Sequence, residues 1–135
     1  MEKLKINKKD INILIVDDEA ANILLLTKIL SMDGYNNIVT TTSPLEASDL
    51  YKRNNFELII LDINMPEMSG YEVLKDLQSL TGFDKTKVIA SSGDISTNDV
   101  NKALEAGFSD YITKPMRMQN ILNLMDKVLM DNTDV

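Results

Sequence analysis

The chain contains neither cysteine nor histidine among its 135 residues. The lack of cysteine excludes disulfides, and the lack of both residue types excludes zinc fingers. Haem ligation by histidine, catalysis by Ser-His-Asp or Cys-His groups, and a phosphohistidine on this chain are excluded for the same reason. Any chemistry must therefore come from carboxylates, lysines, hydroxyl groups and the backbone.

Positive charge is also scarce in this sequence. There are 14 Lys and Arg against 21 Asp and Glu, which gives a net charge of −7. A surface of this sign repels the phosphates of nucleic acids, so we expect no direct binding to DNA or RNA. Long apolar runs are missing too, and the basic N-terminus lacks the apolar region of a secretory signal peptide. We therefore expect a cytoplasmic protein with no membrane partner.

The length of the chain fits a single domain. At 135 residues, folding buries about two-thirds of the surface that the unfolded chain exposes, so one core is sufficient without covalent cross-links. We assign residues 1–9 to a basic leader, residues 10–130 to the domain and residues 131–135 to a tail. The lysines of the leader favour a solvated segment over an arm that binds a membrane surface.

Five short runs rich in isoleucine, valine and leucine predict β-strands. They are Ile11 to Val16, Ile38 to Thr42, Leu58 to Leu61, Val88 to Ser91 and Asp110 to Ile112. The first, third and fourth runs are almost uninterrupted, as in parallel strands that helices cover on both faces. Segments with apolar residues at helical spacing lie between the strands and after the last one.

Capping signals mark where the helices begin. Ser43 to Glu46 and Ser69 to Glu72 both have the Ser-x-x-Glu pattern of a capping box, and Pro44 suits a first helical position. Ser96 or Thr97 is expected to cap the fourth helix. The alternation of five strands and five helices predicts a doubly wound α/β fold, a five-stranded parallel sheet between two helical layers. In such folds the functional crevice lies at the carboxyl ends of the strands.

Acidic residues follow two neighbouring strands of the predicted sheet. Asp17 and Asp18 come directly after the first strand, and Asp62 follows the third. One such residue alone is most often a helix cap or a turn residue. Two carboxylates about 4 Å apart, however, repel by roughly 4 kcal/mol at an effective dielectric of about 20, which favours a bound cation. Oxygen ligands without histidine or cysteine favour Mg²⁺.

A lysine and a hydroxyl group are predicted at the same edge of the sheet. Lys114 follows the fifth strand and Ser92 follows the fourth. With the acidic residues they suit a phosphoryl group on Asp62, which Lys114 and the cation would neutralise and to which Ser92 would donate a hydrogen bond. Taken alone, Lys114 is as typical of a surface lysine as of a phosphate ligand. Ser92 taken alone is more typical of a hydroxyl that bonds to its own backbone.

In this combination the sequence resembles the receiver domain of two-component response regulators. The matching residues are Asp17 and Asp18, Asp62 with Met65-Pro66 and Gly70, Ser92, and Tyr111 with Lys114-Pro115. The similarity covers roughly residues 10 to 130 and includes the spacings between these motifs. It implies a flavodoxin-like three-layer fold and a signalling switch that modifies only itself, not an enzyme with a separate substrate.

The resemblance implies a role for each acidic residue. Asp62 is implied as the phosphoacceptor, and Asp17 and Asp18 as the acidic metal ligands. The backbone carbonyl of Asn64 is implied as a further ligand. The implied metal is Mg²⁺, for which Mn²⁺ would be able to substitute.

The resemblance also implies partners and a switch. A sensor histidine kinase or a histidine phosphotransfer protein would supply the phosphoryl group, and Lys114 would contact it. Ser92 and Tyr111 are implied as the hydroxyl and aromatic pair of the switch, with a cis peptide bond before Pro115. The switch would change the face formed by the fourth helix, fifth strand and fifth helix, where an effector protein, an output domain or a second copy would bind.

Some positions depart from the family pattern or vary within it. Ser92 stands where the family more often has threonine, and Gly93 stands where alanine is common. Asn64 and Asp94, each two residues beyond a site residue, occupy positions that influence phosphoryl lifetime in this family. The sequence is compatible with a stand-alone regulator and with the receiver of a longer protein such as a cyclase, a phosphodiesterase, a hybrid kinase or a transcription factor.

Three other functions share parts of this pattern. A phosphatase of the haloacid dehalogenase type needs a second aspartate two residues after its nucleophile, where this chain has Asn64. A flavodoxin-like electron carrier binds an anionic phosphate in its first loop, which the run Asp17-Asp18-Glu19 would repel. A receiver that no longer accepts phosphate is disfavoured because all the chemical positions are filled.

Overall fold

The computed structural model describes residues 7–93 and 96–130. Its strands are β1 (Asn12–Val16), β2 (Asn37–Thr41), β3 (Leu58–Asp62), β4 (Lys87–Ser92) and β5 (Asp110–Thr113). They form one parallel sheet in the order β2-β1-β3-β4-β5. The predicted doubly wound topology is confirmed, and every strand end lies within one residue of its predicted position.

Five helices cover the sheet. They are α1 (Ala20–Met32), α2 (Ala47–Arg53), α3 (Gly70–Gln78), α4 (Thr97–Ala106) and α5 (Met118–Met130). Short 3₁₀ turns lie at Lys8–Asp10, Pro44–Glu46 and Phe83–Lys85. Within the residues that the structure describes, no helix is long and apolar enough to cross a membrane.

Alternating side chains of the central strands build two apolar layers. Ile13 and Ile15 of β1 pack with residues of α1 and α5, whereas Leu14 and Val16 pack with residues of α2, α3 and α4. Every residue of β3 is buried, because helices cover both of its faces. This packing holds the carboxyl ends of β1 and β3 in fixed positions next to each other.

Two of the three predicted helix caps are confirmed. Ser69 Oγ accepts a hydrogen bond from the Glu72 amide at 3.2 Å, and the Glu72 carboxylate accepts one from the Ser69 amide at 3.1 Å. Ser96, one of the two residues proposed for α4, caps that helix by accepting from the Asp99 amide at 3.1 Å.

The capping box predicted at Ser43 is wrong. The Ser43 side chain makes no capping hydrogen bond, and the segment after it forms a 3₁₀ turn before α2 begins at Ala47. Glu46 instead accepts a hydrogen bond from Thr41 Oγ1 at 2.6 Å. The Glu46 carboxylate, which a capping box would direct to the Ser43 amide, is thus hydrogen-bonded to the Thr41 hydroxyl at the end of β2.

Part of the predicted leader contacts the domain. Lys8 Nζ lies 3.0 Å from Asp33 Oδ2 and 5.5 Å from the centre of the Tyr35 ring. Lys3 and Lys5 of the leader, the predicted tail at 131–135 and Asp94 lie outside the described residues. The boundaries of the leader and of the tail remain predictions.

Candidate functional site

Three carboxylates meet at the carboxyl ends of β1 and β3. Asp17 and Asp18 follow β1, Asp62 ends β3, and one oxygen from each lies within 4.8 Å of the others. Asp17 and Asp62 are buried, whereas Asp18 is exposed. The structure therefore brings together the three acidic residues that the sequence placed at one edge, with Asp18 on the solvent side.

Lys114 provides the positive charge beside this cluster. Its ammonium lies 3.3 Å from Asp17 Oδ2 and 3.3 Å from Asp62 Oδ1. Burial lowers the pKa of Lys114, but Asp17 and Asp62 outweigh burial and raise it above its usual value. Lys114 therefore stays protonated, yet one ammonium faces three carboxylates.

The backbone around Lys114 is anchored to β4. The Lys114 amide donates to the Ser92 carbonyl at 2.8 Å. The peptide bond between Lys114 and Pro115 is cis, which confirms that prediction.

The pKa of Asp62 reflects the excess of negative charge. This pKa is raised to about 7, chiefly by burial and also by the hydrogen bond with Asp18 and the charge of Asp17, while Lys114 opposes the rise. Near neutral pH the Asp62 carboxyl is therefore partly protonated. A cation bound beside it would lower this pKa and favour the carboxylate.

The chemistry of the cluster fits Mg²⁺. The buried oxygen Oδ2 of Asp17 has the Lys114 ammonium 3.3 Å away but, within the described part of the chain, no well-formed hydrogen bond, so it retains a lone pair for a cation. The other oxygen, Oδ1, accepts from the Glu19 amide at 2.9 Å, which fixes the carboxylate. Hard oxygen donors, with one open side at Asp18, match the preference of Mg²⁺ for one or two carboxylates plus water and phosphate oxygens.

Ser92 lies at the end of the neighbouring strand β4 and is buried. Its Oγ accepts a hydrogen bond from Asn64 Nδ2 at 3.1 Å. The backbone N–H of Asn64 donates to Asp62 Oδ1 at 3.3 Å. The sequence indicated a backbone ligand and an influence on phosphoryl lifetime for Asn64, but its side-chain contact with Ser92 was missed, although the carboxyl ends of β3 and β4 are neighbours in any such sheet.

Tyr111 lies on β5, an outer strand of the sheet. It pairs with Ala90 in the β4–β5 register, is half-buried and packs against the apolar layer that contains residues of α3 and α4. Thr113, two residues further along, is the register partner of Ser92. Ser92 and Tyr111, the two residues predicted as a switch pair, therefore lie on the adjacent strands β4 and β5.

Family comparisons agree with this geometry. A family model described as the response regulator receiver domain matches residues 13–126. The chain is 31% identical over 117 residues to the chemotaxis protein CheY of Bacillus subtilis, covering 87% of this chain and 96% of that protein. It is 33% identical over 110 residues to the cell cycle response regulator CtrA of Brucella ovis, covering 82% of this chain but only 46% of CtrA.

Solved structures share the fold at lower identity. The chemotaxis response regulator CheY4 of Vibrio cholerae superposes with a TM-score of 0.82 at 24% identity, over 87% of this chain and 98% of that one. The receiver domain of a sensor histidine kinase from Pseudomonas aeruginosa, described with magnesium coordinated in its active site cleft, gives a TM-score of 0.78 at 21% identity over 87% and 96%. These likenesses establish the flavodoxin-like fold.

Proposed function

This chain belongs to the response regulator receiver family, and on that basis we propose that it takes up a phosphoryl group on Asp62 in a Mg²⁺-dependent reaction. The observation that carries the proposal is the cluster of three carboxylates beside Lys114. A buried carboxylate with a neighbouring ammonium supplies a nucleophile and a charge partner for phosphate, and the remaining acidic residues supply ligands for a cation.

Asp62 is the nucleophile in this proposal. One of its oxygens forms a bond to phosphorus while the bond from phosphorus to the imidazole nitrogen of the donor breaks, and the electron pair stays on that nitrogen. The donor is a phosphohistidine on a sensor histidine kinase or a phosphotransfer protein, because this chain has no histidine of its own. The reaction takes place in the cytoplasm.

The other site residues stabilise the transferred group. Asp17, Asp18, Asp62 and the carbonyl of Asn64 would hold Mg²⁺, or Mn²⁺ in its place, and the metal would neutralise phosphoryl oxygens. Lys114 would contact the same group, and Ser92 would donate a hydrogen bond to it.

Storage of the phosphoryl group is favoured over turnover of a free phosphate ester. A phosphatase of the haloacid dehalogenase type needs a carboxylate two residues after its nucleophile as acid and base. That position holds Asn64, whose amide nitrogen already donates to Ser92 Oγ, and an amide cannot accept and return a proton in that role.

Phosphorylation of Asp62 then changes the face formed by α4, β5 and α5, where partners bind. A phosphoryl group adds about two negative charges and three acceptor oxygens, and we expect Ser92 to move toward it. The space that Ser92 leaves allows Tyr111 to turn inward, which changes this face. Leu104 of α4 and Met118 of α5 are exposed, at 45% and 50%, and would supply apolar contacts for an effector, an output domain or a second copy.

The phosphodonor would approach along α1. Leu24 and Met32 are each 70% exposed, Leu25 is 40% exposed, and all three lie on one side of this helix. The helix begins three residues after Asp17, so its N-terminus lies at the edge that contains Asp62. A helical partner that covers this side of α1 would bring a phosphohistidine to the acceptor.

The direct test is incubation with acetyl phosphate followed by intact-mass measurement. We expect one phosphoryl group per chain with Mg²⁺ and none with EDTA. Mg²⁺ alone should raise the melting temperature of the unmodified protein by mass action, and Asp18→Ala should remove both that rise and the rapid labelling. Labelling at an unchanged rate in EDTA would contradict the metal requirement.

A further inference from the structure

Helix α4 is the least buried of the long helices. Ala103 is its single buried residue, whereas α1, α3 and α5 each bury at least three. An alanine side chain contributes little apolar area. The position of α4 therefore depends to an unusual extent on polar and aromatic contacts with its neighbours.

Two such contacts connect α4 to α3. Near the C-terminal ends, Gln78 Nε2 donates to the Ala106 carbonyl at 3.1 Å. In the middle of α4, the ammonium of Lys102 lies 4.8 Å from the centre of the Tyr71 ring, a cation–π contact. The first contact joins one side chain to the backbone of α4, whereas the second joins two side chains and is the one that lies beside the middle of α4.

Tyr71 is connected to the phosphoacceptor on its other side. It follows Gly70, whose amide donates to the Ile63 carbonyl at 2.8 Å and whose backbone lies against Asp62. The Tyr71 ring meets Phe108 edge-on at 5.8 Å. Its backbone is thus fixed to the acceptor loop, the segment from Ile63 to Ser69 that follows Asp62, while its ring contacts Lys102 of α4.

The ring of Tyr71 shares its surroundings with Tyr111. Both residues pack against the same apolar layer. Burial raises the pKa of Tyr71, and Tyr111 and Asp99 raise it further, so these groups are near enough to affect each other electrostatically. An inward turn of Tyr111 therefore enters the space that Tyr71 and α4 line.

We propose that Lys102 and Tyr71 form a latch that holds α4 in the position described here and that Tyr111 displaces when it turns inward. The proposal rests on the proposed function of Asp62 and identifies Lys102 and Tyr71 as positioning residues for the switch. Because coupling between two positions is reciprocal, weakening the latch strengthens the binding of any group that favours the inward position of Tyr111.

The test compares five variants with the wild-type chain. Lys102→Met keeps the aliphatic stem and removes the cation, and Tyr71→Leu removes the ring. Lys102→Arg and Tyr71→Phe keep the cation–π contact. Lys75→Met, an exposed lysine on α3, is the control for the change in net charge.

Two measurements are made on each protein. Hydrogen exchange of the α4 amides is followed in the unmodified protein, and the affinity for beryllofluoride with Mg²⁺ is measured by NMR titration. We expect Lys102→Met and Tyr71→Leu to speed exchange in α4 and to tighten beryllofluoride binding, each by about two- to five-fold, as an exposed cation–π contact allows. Lys102→Arg, Tyr71→Phe and Lys75→Met should resemble the wild type.

Unchanged α4 exchange in Lys102→Met would overturn the latch, and so would an equal effect in Lys75→Met. Faster exchange with unchanged beryllofluoride affinity would show a merely structural contact and would overturn its role in switching. Failure of the proposed function has a different signature, since the wild-type chain would then take up no phosphoryl group from acetyl phosphate while the exchange measurement still decides whether the latch exists.

Discussion

The backbone of Gly70 lies directly against the carbonyl group of Asp62. A β-carbon at position 70 would overlap that carbonyl oxygen and would lie 2.8 Å from Ile63 Cα. The start of α3 is therefore fitted to the acceptor loop, and only a residue without a side chain allows this approach.

Gly70→Ala should consequently displace the acceptor loop. We expect a loss of about 1 to 3 kcal/mol in the free energy of unfolding, as for other overpacked sites, and at least a ten-fold slower labelling by acetyl phosphate. Gly93→Ala is the matched control, since no atom lies within 4 Å of a β-carbon there, and its stability should change by less than about 0.5 kcal/mol. Urea unfolding measures both, and equal effects would refute the packing argument.

The pKa of Asp62 predicts how stability depends on pH. Burial raises this pKa to about 7, so between about pH 4 and pH 7 the folded chain binds more protons at this residue than the unfolded chain does. The contribution of Asp62 to stability is therefore fully present below about pH 4 and is lost progressively as pH rises from about 4 to 7.

Asp62→Asn should remove this dependence. Measured by urea unfolding without Mg²⁺, the variant should gain stability relative to the wild type as pH rises from 4 to 8, by at least about 1 kcal/mol. A constant difference between the two proteins across this range would show that Asp62 does not titrate as described.

The switch predicts that chemistry and response can be separated. Ser92→Ala should still accept a phosphoryl group on Asp62, because the nucleophile and Lys114 are intact, but it should show a smaller conformational response. Tyr111→Ala should keep the chemistry and lose partner binding or dimerisation. NMR spectra with and without beryllofluoride measure the response, and wild-type shifts across residues 96–125 in both variants would contradict this route.

The exposed side of α1 predicts a selective defect in phosphotransfer. Leu24→Ser and Met32→Ser should slow transfer from a phosphorylated histidine kinase by roughly ten-fold, as loss of a central apolar contact does in other interfaces. Labelling by acetyl phosphate should be unchanged. Leu45 lies on the turn before α2 and is exposed to a similar extent, at 61%, so Leu45→Ser should have no effect on either reaction. An equal loss with both phosphodonors would contradict docking on α1.

The sequence predicted those features that depend on local pattern and on the order of the strands. The uninterrupted apolar runs identify β1, β3 and β4 because burial on both faces requires them. The position of Asp17 and Asp62 at one edge follows from parallel strands alone. The cap at Ser69 was predictable because its partner Glu72 lies three residues away in the same helix.

The features that were missed depend on competition and on distant contacts. Ser43 has the same local pattern as Ser69, but its partner Glu46 is hydrogen-bonded to Thr41 instead. The four residues of the Ser-x-x-Glu pattern do not indicate this competing contact. The contact of Lys102 with Tyr71 joins residues of different helices. This contact depends on how α3 and α4 pack against each other. The spacing of apolar residues within each helix does not predict that packing.

The measurement that tests the central claim most directly is location of the phosphoryl group among the three clustered carboxylates. After labelling with acetyl phosphate and Mg²⁺, reduction of the acyl phosphate with borohydride converts the modified aspartate to homoserine, which peptide mass mapping locates. We expect homoserine at position 62 alone, and none in Asp62→Asn. Homoserine at position 17 or 18, or labelling of Asp62→Asn at the wild-type level, would contradict the assignment of Asp62 as the phosphoacceptor.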